Sequence, residues 1–200
     1  MSRLDPFAGS EDLRRIITGL FETPEDSEWK AKTDVISLSD LREWMKSSNI
    51  EILGFTYGRL GDERFRIEPP ISPEEYVEFT KHYLGRCFRE NPDGEWSDSR
   101  WTAGWDFVNI FGSLWRDQQV PRGILADLKE WLAQLYKDGD EEIRVCIIQA
   151  SLEHLVEQKP IREFFFDWQK DPVLRVAYND ACLWPDGGGS TPLGKPTRER

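Results

Sequence analysis

The chain has 200 residues, 38% hydrophobic and 12% aromatic, enough for one domain, or a domain with a smaller attached lobe, to bury a core without staples. Its 37 Asp and Glu against 26 Lys and Arg leave a net charge of −11, which disfavours nucleic acid and attracts basic protein partners, while also serving solubility. Three widely spaced cysteines argue against a disulfide framework and suit reduced thiols in the cytoplasm, and the absence of an apolar leader or of ~20 consecutive apolar residues argues against secretion and against a membrane span.

Near the start, Ser10 with Glu11 and Asp12 predicts a cap for a short helix carrying Leu13, Ile16, Ile17, Leu20 and Phe21, ended before Pro24. Residues 34–38 read as a strand. Asp40, followed three residues later by Glu43, predicts the cap of a second short helix with Leu41, Trp44 and Met45 on its buried side. Ile50, Ile52, Phe55 and Tyr57 are β-branched or aromatic, Leu60-Gly61-Asp62 is turn chemistry, and Arg64-Phe65-Arg66-Ile67 alternates, so 50–58 and 63–68 are expected to form a β-hairpin. Pro69 and Pro70 stop the strand.

From Ser72 the signals are helical. Ser72-Pro73-Glu74-Glu75 is a capping box with proline at the first helical position, followed by Tyr76, Phe79, Tyr83 and Phe88 and ended by Asn91-Pro92-Asp93-Gly94. A helix near 98–117 is expected to bury a stripe of Trp101, Trp105, Val108 and Trp115 beside Phe107, Phe111 and Leu114. Another, at 121–138, carries Ile124, Leu125, Leu128, Trp131, Leu132, Leu135 and Tyr136, with Gly139 as its C-cap. Asp140 caps the next, and helices near 160–169 and 172–183 complete the series; short connections predict antiparallel neighbours. The fold expected is mainly α: a multi-helix bundle or short helical stack over 71–184, a small α+β lobe containing the hairpin over 1–70, and a glycine- and proline-rich tail over 185–200 that cannot order itself.

Catalytic signatures are missing. His154 stands in Leu152-Glu153-His154-Leu155 without the spacing of a zinc helix, and Ser151 occupies the upstream position that a di-iron Glu-x-x-His motif requires. His82, one turn after Glu78, reads as a solvated helical pair. The glycines at 187–189 follow no strand and open no helix, so no phosphate loop is expected. Asp138, Asp140 and Glu142 superficially resemble a calcium loop, but Ile143 replaces the turn glycine and Gln149 the bidentate glutamate. No catalytic, cofactor-binding or metal-binding residue is assigned. As partner-binding residues the sequence offers the acidic turn Asp138, Asp140, Glu141 and Glu142, which also complements a helix dipole, and Trp96 between Glu95 and Asp98, which also suits a core.

Three strings carry a resemblance: Leu135 to Arg144 (LYKDGDEEIR), Leu152 to Glu157 (LEHLVE) and Phe164 to Leu174 (FFFDWQKDPVL). Over 128–184 the chain resembles an uncharacterised family of small bacterial helical proteins with "LYxxGDEEVR", "LEHLFE" and "FFxDWxxDPxL"; Val156 stands where that pattern has an aromatic. Members look like the immunity proteins of bacterial toxin systems. The resemblance implies a cytoplasmic, non-catalytic protein that binds a basic toxin domain and occludes its active site, with no functional residue defined by the family. The alternatives are an adaptor or structural module binding an endogenous partner, and an enzyme using carboxylates and His154.

Overall fold

The computed structural model describes residues 34–62 and 65–183; the helix expected after Ser10 and the tail at 185–200 lie outside them. The described chain is mainly helical with one small two-stranded sheet. It forms two compact units, one ending at Ser99 and one beginning at Arg100, so the helix opened by Ser72 belongs with the sheet.

In the first unit, β1 (Asp34–Ser37) pairs in parallel with β2 (Phe65–Glu68), in the register Asp34 to Phe65 through Ser37 to Glu68. Between them lie α1 (Leu38–Trp44) and α2 (Ile50–Gly58). The expected hairpin is therefore corrected: 50–58 is a helix, and the partner of 65–68 is the strand at 34–37. Parallel strands need a crossover, and these two helices provide it. Residues Leu53 to Tyr57 are buried consecutively, and a short segment apolar on all sides shows neither helical nor strand period. Asn49 supplies the helix start, its side chain accepting from Glu51 N at 3.0 Å. The cap of α1 is likewise Ser37, whose Oγ accepts from Ser39 N, and not Asp40. Ile36, Leu38 and Leu41 form a buried cluster under Trp44, Phe65, Ile67 and Phe79.

Helix α3 (Pro73–Glu90) starts as its capping sequence predicts, with Ser72 Oγ accepting from Glu75 N. It ends on Asn91 in the left-handed conformation (φ 47°), which asparagine tolerates better than most residues. Its inner face buries Val77, Thr80, Tyr83, Leu84, Cys87 and Phe88. The segment after it is stapled down by polar groups. Glu51 accepts from Trp96 N at 2.9 Å and from the Ser97 hydroxyl, and Tyr83 donates its hydroxyl to Asp98 at 2.8 Å.

The second unit opens with α4 (Arg100–Arg116) and α5 (Arg122–Asp138). They run antiparallel, Phe107 meeting Trp131 (ring centroids 5.7 Å apart) and Trp115 meeting the guanidinium of Arg122 at 4.1 Å. Gly139 does not adopt the left-handed cap conformation but an extended one (φ −74°); a Cβ there would collide with Ile143 and with the Leu135 carbonyl, so closeness rather than φ selects the glycine. Asp140 caps α6 (Glu141–Cys146), as its position predicts, accepting from Ile143 N at 2.9 Å.

Helix α6 runs on through a π-helical turn, Ile147–Leu152, into α7 (Glu153–Val156). Then follow α8 (Lys159–Phe164), a 3-10 turn (Phe166–Lys170) and α9 (Leu174–Leu183). Cations close several helix ends: Arg144 donates to the carbonyls of Tyr136 and Lys137, Arg162 to that of Val156, and Lys129 to that of Phe164. A cation at a helix C-terminus satisfies orphan carbonyls and opposes the negative end of the dipole. Phe107, Phe111, Leu128, Leu132, Ile161 and Phe165 are fully buried and make the core.

Candidate functional site

The π-helical turn and the N-terminal half of α4 determine what this unit shows to its surroundings. These two segments run in the same direction. Glu142 accepts from Arg100 at 2.7 Å, Cys146 Sγ donates to the Arg100 carbonyl at 3.2 Å, and Ser151 Oγ donates to the Gly104 carbonyl at 3.1 Å. Ala103 and Gly104 lie at the seam, where small residues let backbones approach. π-Bulges interrupt helices mostly where a local feature must be repositioned, often at functional sites.

Because the seam is built from Arg100, Ala103, Gly104, Phe107 and Phe111, the expected tryptophan stripe is not the buried one. Trp101 and Trp105 are 46% and 47% exposed. They stand one turn apart on α4, and residues four apart share a helix face. His154, just beyond the π turn, stacks on Trp105 with ring centroids 4.0 Å apart and planes inclined by 28°. Its Nδ1 lies 3.6 Å from Glu157. Trp101, Trp105 and His154 thus form an aromatic shelf edged by a carboxylate.

Burying most of an indole removes ~150–250 Å² from water. Leaving about half of that open forgoes roughly 2 kcal/mol per tryptophan at ~25 cal/mol/Å², so folding alone does not account for placing two here. The signal in the sequence was the Ala103-Gly104 pair with Phe107 and Phe111 at the next turns: that seam excludes residues 101 and 105 from the same face.

The acidic turn is intact but largely engaged. Asp138 accepts from Gln134 Nε2 at 2.8 Å, Asp140 caps α6, and Glu142 pairs with the buried Arg100. Glu141 is exposed in the first turn of the helix. Trp96 belongs to the first unit, where its ring meets Phe55 edge-on at 5.1 Å and its backbone is held by Glu51. Its half-buried ring packs a loop in place.

Among the described residues no group of three or more His, Cys, Asp or Glu could hold a metal ion, and no helix is long and apolar enough to cross a membrane. Burial pushes the Cys146 thiol up to about 12 and raises the Glu153 carboxyl above its usual range, an effect reinforced by Asp180 and Glu157. Neither shift creates a nucleophile: the thiol is held as a neutral donor. Compared with known protein families, with curated proteins and with solved structures, the chain finds no match.

Proposed function

We propose that this is a non-catalytic, acidic binding protein that acts in the cytoplasm as an immunity protein, neutralising a bacterial toxin domain by covering its active site. The observation that carries the reading is the shelf of Trp101, Trp105 and His154, where two half-exposed tryptophans sit one turn apart on a helix whose core face is complete without them. Tryptophans of this kind anchor protein interfaces. The surrounding carboxylates, including Glu141 at the acidic turn and Glu157 beside His154, would draw in a basic partner and accelerate encounter. The resemblance of residues 128–184 to immunity-type proteins supplies the class of partner.

The test is co-expression with the toxin encoded beside the gene. Protection of the host and a stable complex on size exclusion are expected; undiminished killing with no complex rejects the reading.

A further inference from the structure

The two stretches that build the aromatic shelf are one-sided in charge. Within them, residues 100–108 and 140–157, the only Lys or Arg side chains are Arg100 and Arg144. Arg100 is buried and bonded to Glu142, and Arg144 donates to two backbone carbonyls at the end of α5. The same stretches carry Asp106, Asp140, Glu141, Glu142, Glu153 and Glu157; Asp140 is engaged as the cap of α6, Glu142 with Arg100, and Glu153 is buried, while Glu141 and Glu157 are exposed. An indole face is itself electron-rich and attracts cations, and a neighbouring carboxylate adds its own attraction. His154 covers one face of Trp105, yet nearly half of that residue remains open.

We infer that the shelf is a receptor for arginine: a guanidinium-bearing segment of a partner protein lies across Trp101 and Trp105, stacking its planar cation on the indoles while carboxylates accept its N–H groups. Guanidinium fits better than ammonium because it is flat, weakly hydrated and presents several donors in one plane. The inference rests on the protein-binding reading above and specifies the chemistry by which that surface recognises its partner.

The test uses the full chain and an acetylated, amidated peptide of alternating glycine and arginine, with the same peptide carrying neutral citrulline as control. The arginine peptide should move the indole Nε1–H resonances of Trp101 and Trp105, bind more weakly as salt rises, and lose about tenfold in affinity with W101L/W105L, the size of effect expected for a cation–π contact of moderate strength. The citrulline peptide should not bind. Equal binding of both peptides, or undiminished binding by the double variant, overturns the inference, as does an arginine peptide that leaves both indole signals of the unmodified protein in place. A toxin complex that survives W101L/W105L removes the shelf as receptor and leaves neutralisation standing. Arginine binding at the shelf without any toxin complex retains the receptor and removes the toxin.

Discussion

Gly104 lies against Ala150 so closely that a Cβ on the glycine would stand 2.6 Å from the alanine methyl. Real Cβ atoms do not approach so near, so one helix must move. Gly104→Ala is expected to destabilise the second unit by about 1–3 kcal/mol, the usual cost of overpacking, despite alanine's better helix propensity. Gly112, on the same helix with only the end of the Arg116 side chain in reach of an added Cβ, is the control: Gly112→Ala should be neutral or stabilising. Chemical denaturation of the two variants checks this, and equal midpoints would show that the seam relaxes freely.

The division of labour on α4 predicts a contrast in stability. Phe111 is fully buried, with its ring against Phe165 at 5.6 Å and near Phe107 and Phe164. Phe111→Ala should cost about 3–5 kcal/mol. Trp101→Ala removes an aromatic nearly half exposed and should cost about 2 kcal/mol or less, the worth of its buried half at ~25 cal/mol/Å². Thermal unfolding distinguishes them; a Trp101 variant as damaged as the Phe111 variant would make the shelf part of the core.

The sequence was legible where capping and period agree. Ser72 and Asp140 cap the helices their positions predict, because an N-cap is a local arrangement needing only neighbouring residues. It was misleading where burial is not periodic. Residues 50–58 look like a strand because β-branched and aromatic side chains face every direction, and only the parallel pairing of 34–37 with 65–68 reveals a crossover. On α4 the sequence points to the wrong stripe because tryptophan is the largest apolar side chain there, whereas the close contact of Gly104 with Ala150 sets which face turns inward. That contact depends on a π turn at Ile147–Leu152, and no residue pattern in a helix announces an added residue per turn.

Glu153 predicts a pH dependence. The residue is buried, and burial raises the pKa of its carboxyl above the ordinary 4.5, with Asp180 and Glu157 adding to the effect. Below the unfolded-state value both states hold the proton, so nothing is lost. As pH rises past it the unfolded chain releases its proton first, and stability falls until pH has passed the folded-state value. Glu153→Gln lacks this titration. It should match the parent at acid pH and exceed it at neutral pH, with the gap opening from about pH 4–5 upward. A constant difference across the range would assign the effect to packing instead of ionisation.

The three thiols should react in two classes. Cys87 and Cys146 are buried, and desolvation pushes both thiols up to about 12, at Cys87 against the opposing hydrogen bond from Tyr83. Cys182 on α9 is only partly buried. Thiolate is the reactive form, so a group held protonated and out of contact with reagent waits for unfolding. In native protein at mildly alkaline pH, a thiol-specific chromogenic reagent should label Cys182 alone in its fast phase, and Cys182→Ser should abolish that phase. The remaining two equivalents should appear only with denaturant, at the rate at which each unit opens. Because Cys87 lies on α3 and Cys146 beside the π turn, their labelling midpoints report the first and second units separately. Gly104→Ala should shift the Cys146 midpoint and leave that of Cys87 in place if the two units unfold independently, while equal shifts would show that they unfold as one.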